Sequence, residues 1–251
     1  AKKSGATIAK FQTYFTDTRA KSNSQIYKIL KQCELSPDQF WSIKDFCDEV
    51  DIEFSSTPFC IKSAEILQQI GCKTIKIASF HLSNLKLICS ILRNPNCENL
   101  LISTGVSSLD HIITTNKTYE AFNIKSKPKL TFLHCISQYP IADIQDLNLA
   151  NIPYIAKLTS KRVGFSDHSI GALVPSYAVA LGATIVEKHY TIDNTLEGAD
   201  HAMSASPDVF STMVRMCDDV SQMLGTTRSD QIYECESGAT QFCFKSDNID
   251  A

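Results

Sequence analysis

Seven short runs rich in β-branched and aromatic residues recur along this chain, and stretches of helical spacing separate them. TIAKFQ (7–12), IEFSSTPF (52–59), TIKIAS (74–79), NLLISTG (99–105), LTFLHC (130–135), VGFSDH (163–168) and TIVEKHYT (184–191) read as strands. SPDQFWSIKDFCDEV (36–50), IKSAEILQQIG (61–71), SLDHIITTN (108–116), GALVPSYAVALG (171–182) and SPDVFSTMVRMCDDVSQMLG (206–225) are among the helical patterns between and after them. Ser36 and Ser206 each precede a proline at a first helical position, and Gly71, Gly182 and Gly225 suit helix ends. Such alternation builds right-handed βαβ units on a parallel sheet, either an open doubly wound sheet or a closed barrel. No G-x-G-x-x-G follows a strand, so the dinucleotide fold loses its main support and an α/β barrel of the (β/α)8 TIM type is expected, one strand short of eight.

The bulk properties exclude several classes of partner. A net charge of −3 gives no electrostatic footprint for nucleic acid or an anionic membrane surface. No apolar run approaches membrane-spanning length, and AKKSGATIAKFQ has no signal-peptide core. That start reads as the end of a helix entering a strand, and so as truncated. The ten cysteines are scattered without a C-x-x-C pair, which predicts reduced thiols and a cytoplasmic protein; Cys135, inside an apolar run, reads as a small hydrophobe. Residues 1–225 are assigned to one barrel domain. Residues 226–251, polar and without periodicity, are assigned to a tail or linker with no catalytic part.

Side chains two apart share a face of a strand. That rule groups Lys10 with Gln12, Ser55 with Thr57, Ser166 with His168 and Glu187 with His189, while Phe11, Phe54, Phe165 and Val186 face the helices. Lys76 stands opposite Ile75 and Ile77, and Ser103 and Ser137 extend the polar set. In a parallel barrel these residues meet at the carboxyl mouth, where function resides. Two lysines within a ring of hydroxyls (Ser55, Thr57, Ser79, Ser103, Ser166) suit a small, multiply charged anion such as a phosphorylated carboxylate. His168 and His189, on neighbouring strands, can converge on one divalent ion and leave positions open for substrate and water. The plainer alternatives are that each histidine is a satisfied polar group, that Lys10 or Lys76 pairs with Glu187, and that Ser55 or Thr57 satisfies strand-end amides. His134 faces the helices and reads as a buried, hydrogen-bonded histidine. No partner is evident for His111 or for His201.

The motifs GATIAKFQT, FSSTPF, IKIAS, ISTG, LHCISQYP, GFSDHSIG, AVALGATIVEKHYT and GADHAMS, in that order, resemble those of the sialic acid synthases and their legionaminic and pseudaminic relatives, up to about residue 210. The resemblance implies a (β/α)8 barrel that condenses phosphoenolpyruvate with an N-acylated amino sugar such as N-acetylmannosamine. C3 of the enolpyruvate attacks the open-chain aldehyde, water adds to the resulting cationic carbon, and collapse of the intermediate releases phosphate.

By the same resemblance His168 and His189 hold a divalent metal, Mn²⁺ in the family. Lys10, Thr57, Lys76 and Ser103 take the carboxylate, Ser79, Ser137 and Ser166 the phosphate, and Tyr139 and Asp200 the sugar side. With Gln12 and Ser55 these make the expected substrate-binding set; His168, His189, Lys76 and Glu187 make the expected catalytic set. A homodimer is implied. The family's first strand and its C-terminal antifreeze-like domain have no counterpart in these residues. Phe80 and His81 stand where the family has a glycine and a glutamate, and Ala199 where it has a proline. Two other functions remain open: a non-catalytic relative that keeps a metal and anion pocket, and a metal-dependent pyruvate-type aldolase.

Overall fold

The computed structural model of this chain describes residues 1–198, 200–225 and 232–243. Seven strands, β1 (Ile8–Thr13), β2 (Glu53–Pro58), β3 (Thr74–Ile77), β4 (Asn99–Ser103), β5 (Lys129–Cys135), β6 (Arg162–Asp167) and β7 (Val186–Lys188), form one parallel sheet in chain order. The helices are α1 (Thr16–Arg19), α2 (Gln25–Cys33), α3 (Pro37–Glu49), α4 (Ile61–Gln69), α5 (Leu85–Leu92), α6 (Leu109–Ala121), α7 (Asn151–Thr159), α8 (Leu173–Ala180) and α9 (Pro207–Leu224). All seven predicted strands are present, each within a few residues of its expected limits. Helices α1, α2, α5 and α7 add to the predicted set. The sequence LKLICSIL of α5 buries the stripe Leu87, Ile88, Ile91 and Leu92, but its eight residues are too short a window to declare a helical period. In α7, Pro153 falls in the first turn, where its missing N–H costs nothing.

The expected helix ends are as the chemistry requires. Ser36 accepts from Gln39 N–H in a reciprocal capping box, Ser206 accepts from Val209 N–H, and Gly71, Gly182 and Gly225 all have positive φ. Between sheet and helices lies a continuous apolar layer that includes Phe54, Ile75, Ile77, Leu100, Ile102, Phe132, Val163 and Phe165. Burial of side chains of this size contributes roughly 1.5–3 kcal/mol each, which fixes the face that every strand turns inward. Leu101 and Leu133 are buried on the other face. Gly164 opens room for Leu133 there, because a Cβ at Gly164 would lie 2.6 Å from Leu133 Cδ2 and 2.4 Å from the Ile185 carbonyl oxygen.

The sheet curls into a half-barrel whose end strands approach each other through side chains. Lys10 Nζ on β1 is 3.7 Å from Glu187 Oε2 on β7, and the hydroxyls of Ser4 and Tyr190 lie 3.3 Å apart. Backbone pairing between β1 and β7 is absent among the described residues. The region expected to be a tail contains an exposed 3-10 helix, Glu234–Phe242. The rest of that assignment, 226–231 and 244–251, lies outside the described residues, as does Ala199. No described helix is long and apolar enough to cross a membrane, and all ten cysteines are free.

Candidate active site

The carboxyl ends of the strands surround a cavity of about 220 Å³. Its lining contains most of the expected set: Lys10, Gln12, Thr57, Lys76, Ser79, Ser103, Tyr139, Ser166, His168, Glu187, His189 and Asp200. Ser55 and Ser137 are not on the cavity wall. Ser55 is 1 % exposed, two register positions below Thr57 on the same strand face.

The deepest charge is Lys76, 3 % exposed, with Nζ 3.4 Å from Glu187 Oε1. Glu187 also receives a hydrogen bond from Ser166 Oγ at 2.7 Å, across the directly opposed pair of β6 and β7. Burial opposes ionisation of Glu187, but Lys10, Lys76 and the Ser166 hydroxyl outweigh it and bring its pKa down to about 2. Glu187 is therefore a carboxylate at neutral pH and no source of a proton. It orders two lysines whose positive charge faces the cavity. Burial pushes the Lys76 ammonium toward its neutral form, with Glu187 opposing and Lys10 adding to that push. A second anion would relieve this cost. The alternative in which one lysine pairs with Glu187 thus holds for both, and it does not exclude an anion site.

Beside the lysines, several hydroxyls lack partners. The buried Oγ atoms of Ser55, Ser103 and Ser137 make no hydrogen bond. Ser79 Oγ accepts from Gly105 N–H at 3.2 Å. A Cβ on Gly105 would lie 2.3 Å from Ser137 Oγ, 2.9 Å from Ser79 Oγ and 3.2 Å from the Cys135 carbonyl oxygen. Gly105 therefore lets the Ser137 and Ser79 hydroxyls and the Cys135 carbonyl pack closely against its Cα. Buried hydroxyls without partners are costly, and a bound oxyanion would satisfy them.

His168 and His189 form the other side of the cavity. Their ring centroids are 5.6 Å apart, and Tyr139 packs 4.0 Å from the His168 ring and 5.9 Å, edge-on, from that of His189. His168 Nδ1 donates to the Ile136 carbonyl at 2.7 Å, which leaves Nε2 as the atom free to coordinate. Burial lowers the proton affinity of His168, but Cys135 and the Ile136 carbonyl more than offset it. His189 is held toward its neutral form by burial, with Asp200 Oδ2 opposing from 3.7 Å off Nδ1. Two imidazoles with one oriented lone pair fit a divalent ion that keeps open positions. No group of three or more histidine, cysteine or acidic side chains suited to a metal occurs among the described residues.

The remaining histidines resolve as follows. His134 Nε2 hydrogen-bonds the Leu147 carbonyl at 2.7 Å, as expected for a buried structural histidine. His201 does have a partner, the Thr191 hydroxyl at 2.7 Å, and His111 Nδ1 accepts from Ser108 N–H. Five wall residues, Arg19, Phe59, Ala78, Phe80 and Cys135, fall outside the expected site set. Arg19 stacks over Phe59 with its guanidinium carbon 3.8 Å from the ring centroid, and both line the cavity. Cys135 is not merely a small hydrophobe, since its Sγ faces the cavity 3.6 Å from Ser79 Oγ. Phe80 lines the rim and is 71 % exposed.

A curled parallel α/β sheet with lysines, hydroxyls and two histidines at its carboxyl mouth defines a barrel-type protein with an enzyme-like cavity. The NeuB family model matches residues 1–229, and the chain belongs to that family. An uncharacterized protein of Methanocaldococcus jannaschii is 37 % identical over 226 residues, covering 90 % of this chain and 65 % of its own length. N,N'-diacetyllegionaminic acid synthase of Legionella pneumophila is 35 % identical over 245 residues, covering 90 % and 67 %. The chain thus spans about two thirds of the length of these relatives. The crystal structure of the N-acetylneuraminic acid synthetase of Leptospira borgpetersenii, in complex with citrate, superposes with a TM-score of 0.87 at 30 % identity, covering 95 % of this chain and 81 % of that one.

Proposed function

We propose that this chain is the barrel of a nonulosonate synthase, condensing phosphoenolpyruvate with an N-acylated amino sugar and releasing phosphate. The observation that carries the reading is the composition of one cavity wall: Lys10 and Lys76 beside the hydroxyls of Thr57, Ser79, Ser103 and Ser166, with Ser103 Oγ unpartnered, next to the His168–His189 pair. Lys10, Lys76, Thr57 and Ser103 bind the donor's carboxylate. Ser79, Ser137 and Ser166 hold its phosphate. Glu187 holds both lysines in place, so its part is orientation rather than proton transfer. Tyr139 and Asp200 meet the acceptor sugar beside the histidines. His168 and His189 would hold a divalent ion, Mn²⁺ in this reading, which when bound would polarise the acceptor's carbonyl oxygen. Exposed apolar side chains on the mouth loops, Phe80, Ile170 and Ile192, support a homodimer in which a partner surface covers the site.

The test is phosphate release from phosphoenolpyruvate with Mn²⁺ and N-acetylmannosamine or related hexosamines, comparing the chain with its His168→Ala and His189→Ala variants. Release that needs the sugar and is lost in both variants is expected. Condensation without phosphate release would favour the pyruvate-type aldolase. Donor binding without turnover, in folded protein, would favour a non-catalytic relative.

A further inference from the structure

The apolar layer between sheet and helices contains one anomaly. Asp167 and Lys188 lie on the helix-facing side of β6 and β7, in line with Val163, Phe165 and Val186, where apolar residues are expected. Their side chains are 0 % and 2 % exposed. They are directly opposed across the two strands, and Lys188 Nζ donates to Asp167 Oδ2 at 2.6 Å. Lys188 Nζ also donates to the Ser169 carbonyl at 2.7 Å, and Asp167 Oδ1 accepts from Ser169 N–H at 2.9 Å.

A fully buried ion pair is weak evidence for stability, because desolvation consumes much of the Coulombic gain and well-packed apolar residues often do as well. What the pair supplies is position. Asp167 and Ser169 bracket His168, both are tied to the Lys188 ammonium, and the residue after Lys188 is His189. Two hydrogen bonds thus connect the chain on both sides of one histidine to the residue preceding the other, and the third braces Asp167 against Ser169. They act from the face opposite the cavity, where no substrate contact competes with them. The Ser166–Glu187 hydrogen bond joins the same two strands one residue earlier on the cavity face.

We infer that Asp167 and Lys188 are positioning residues that set the separation and orientation of His168 and His189, and so the affinity of the chain for a divalent ion. The inference rests on the metal reading of the two histidines. Partners of this outer kind are typically worth 10- to 100-fold in metal affinity.

The experiment is a Mn²⁺ titration followed by the electron paramagnetic resonance signal of the free ion, paired with thermal unfolding. It uses the wild-type chain, His168→Ala, the double variant Asp167→Leu/Lys188→Met and the charge-retaining Asp167→Glu. The double variant replaces the pair with apolar side chains, so it is expected to keep its melting temperature while its Mn²⁺ dissociation constant rises tenfold or more. Asp167→Glu displaces the carboxylate by one methylene and is expected to weaken Mn²⁺ in the same direction, which decides the matter if the double variant does not fold. The visible absorption of the Co²⁺ form should change in both. Folded variants that bind Mn²⁺ within twofold of wild type would overturn the inference and leave the metal site standing. A wild-type chain that binds Mn²⁺ no better than His168→Ala would overturn the metal reading and the inference with it.

Discussion

Lys10 on the first strand and Glu187 on the last approach to 3.7 Å, so an ion pair spans the two ends of a sheet that no backbone hydrogen bond joins among the described residues. Glu187 is ionised down to about pH 2, against 4.5 for an ordinary glutamate. A depressed carboxylate stabilises the fold above its unfolded value, and the stabilisation is lost as pH falls from about 4.5 toward 2. The shift corresponds to about 3 kcal/mol. Urea unfolding of wild type between pH 7 and pH 2.5 should show this loss, and Glu187→Gln should flatten the profile while lowering stability at pH 7.

Gly105→Ala places a methyl group against two of the serines proposed to hold phosphate. Ser79 and Ser137 must rotate away from it, whereas the Cys135 carbonyl cannot. Phosphoenolpyruvate affinity, measured by calorimetry, is expected to fall at least tenfold, together with a lowered melting temperature. Unchanged affinity would place the phosphate elsewhere.

Phe80 and His81 occupy the rim where the resemblance calls for glycine and glutamate. His81 Nδ1 is turned to the Asn84 amide at 3.2 Å, and Phe80 faces the cavity mouth. The double change Phe80→Gly/His81→Glu is expected to alter KM for the acceptor sugar severalfold and to leave KM for phosphoenolpyruvate within twofold. Steady-state kinetics with a panel of hexosamines distinguishes the two effects.

Thiol labelling tests the packing of the apolar layer. Burial pushes the Cys72 and Cys97 thiols up to about 12, and the backbone carbonyls of Thr74 and Asn99 lie within reach of their sulfurs. Cys33, Cys235 and Cys243 are exposed. Native protein treated with iodoacetamide at pH 8 should label at the exposed three within minutes, and at Cys72 and Cys97 only after denaturation, as read by peptide mass spectrometry.

Much of the sheet is legible in the sequence because a strand with one apolar face announces its period. Lys76 between Ile75 and Ile77, or Ser166 and His168 around Asp167, can be assigned a side before any coordinates exist. The features that escaped have no side-chain pattern to read. Gly105 contributes an amide and the lack of a Cβ, neither of which periodicity reveals. Arg19 reaches the cavity from the end of a four-residue helix that has no stripe. Asp167 and Lys188 defeat the alternation rule itself, since they place charge on the face that the rule reserves for apolar residues. Helix α5 escaped because its buried stripe of Leu87, Ile88, Ile91 and Leu92 spans little more than one turn of an eight-residue helix.

The chain-order sheet has a consequence for how this site can diversify. Lys10, Thr57, Lys76, Ser79, Ser103 and Gly105 come from the first four strands and their loops, while Tyr139, His168, Glu187, His189 and Asp200 come from the last three. In the proposed reading the donor's carboxylate contacts thus come from the first four strands, its phosphate contacts from both sets, and the acceptor's contacts from the last three. Drift in the loops after β5 and β7 that spares Ser137, Ser166 and Glu187 would retarget the sugar while the donor's contacts stay unchanged.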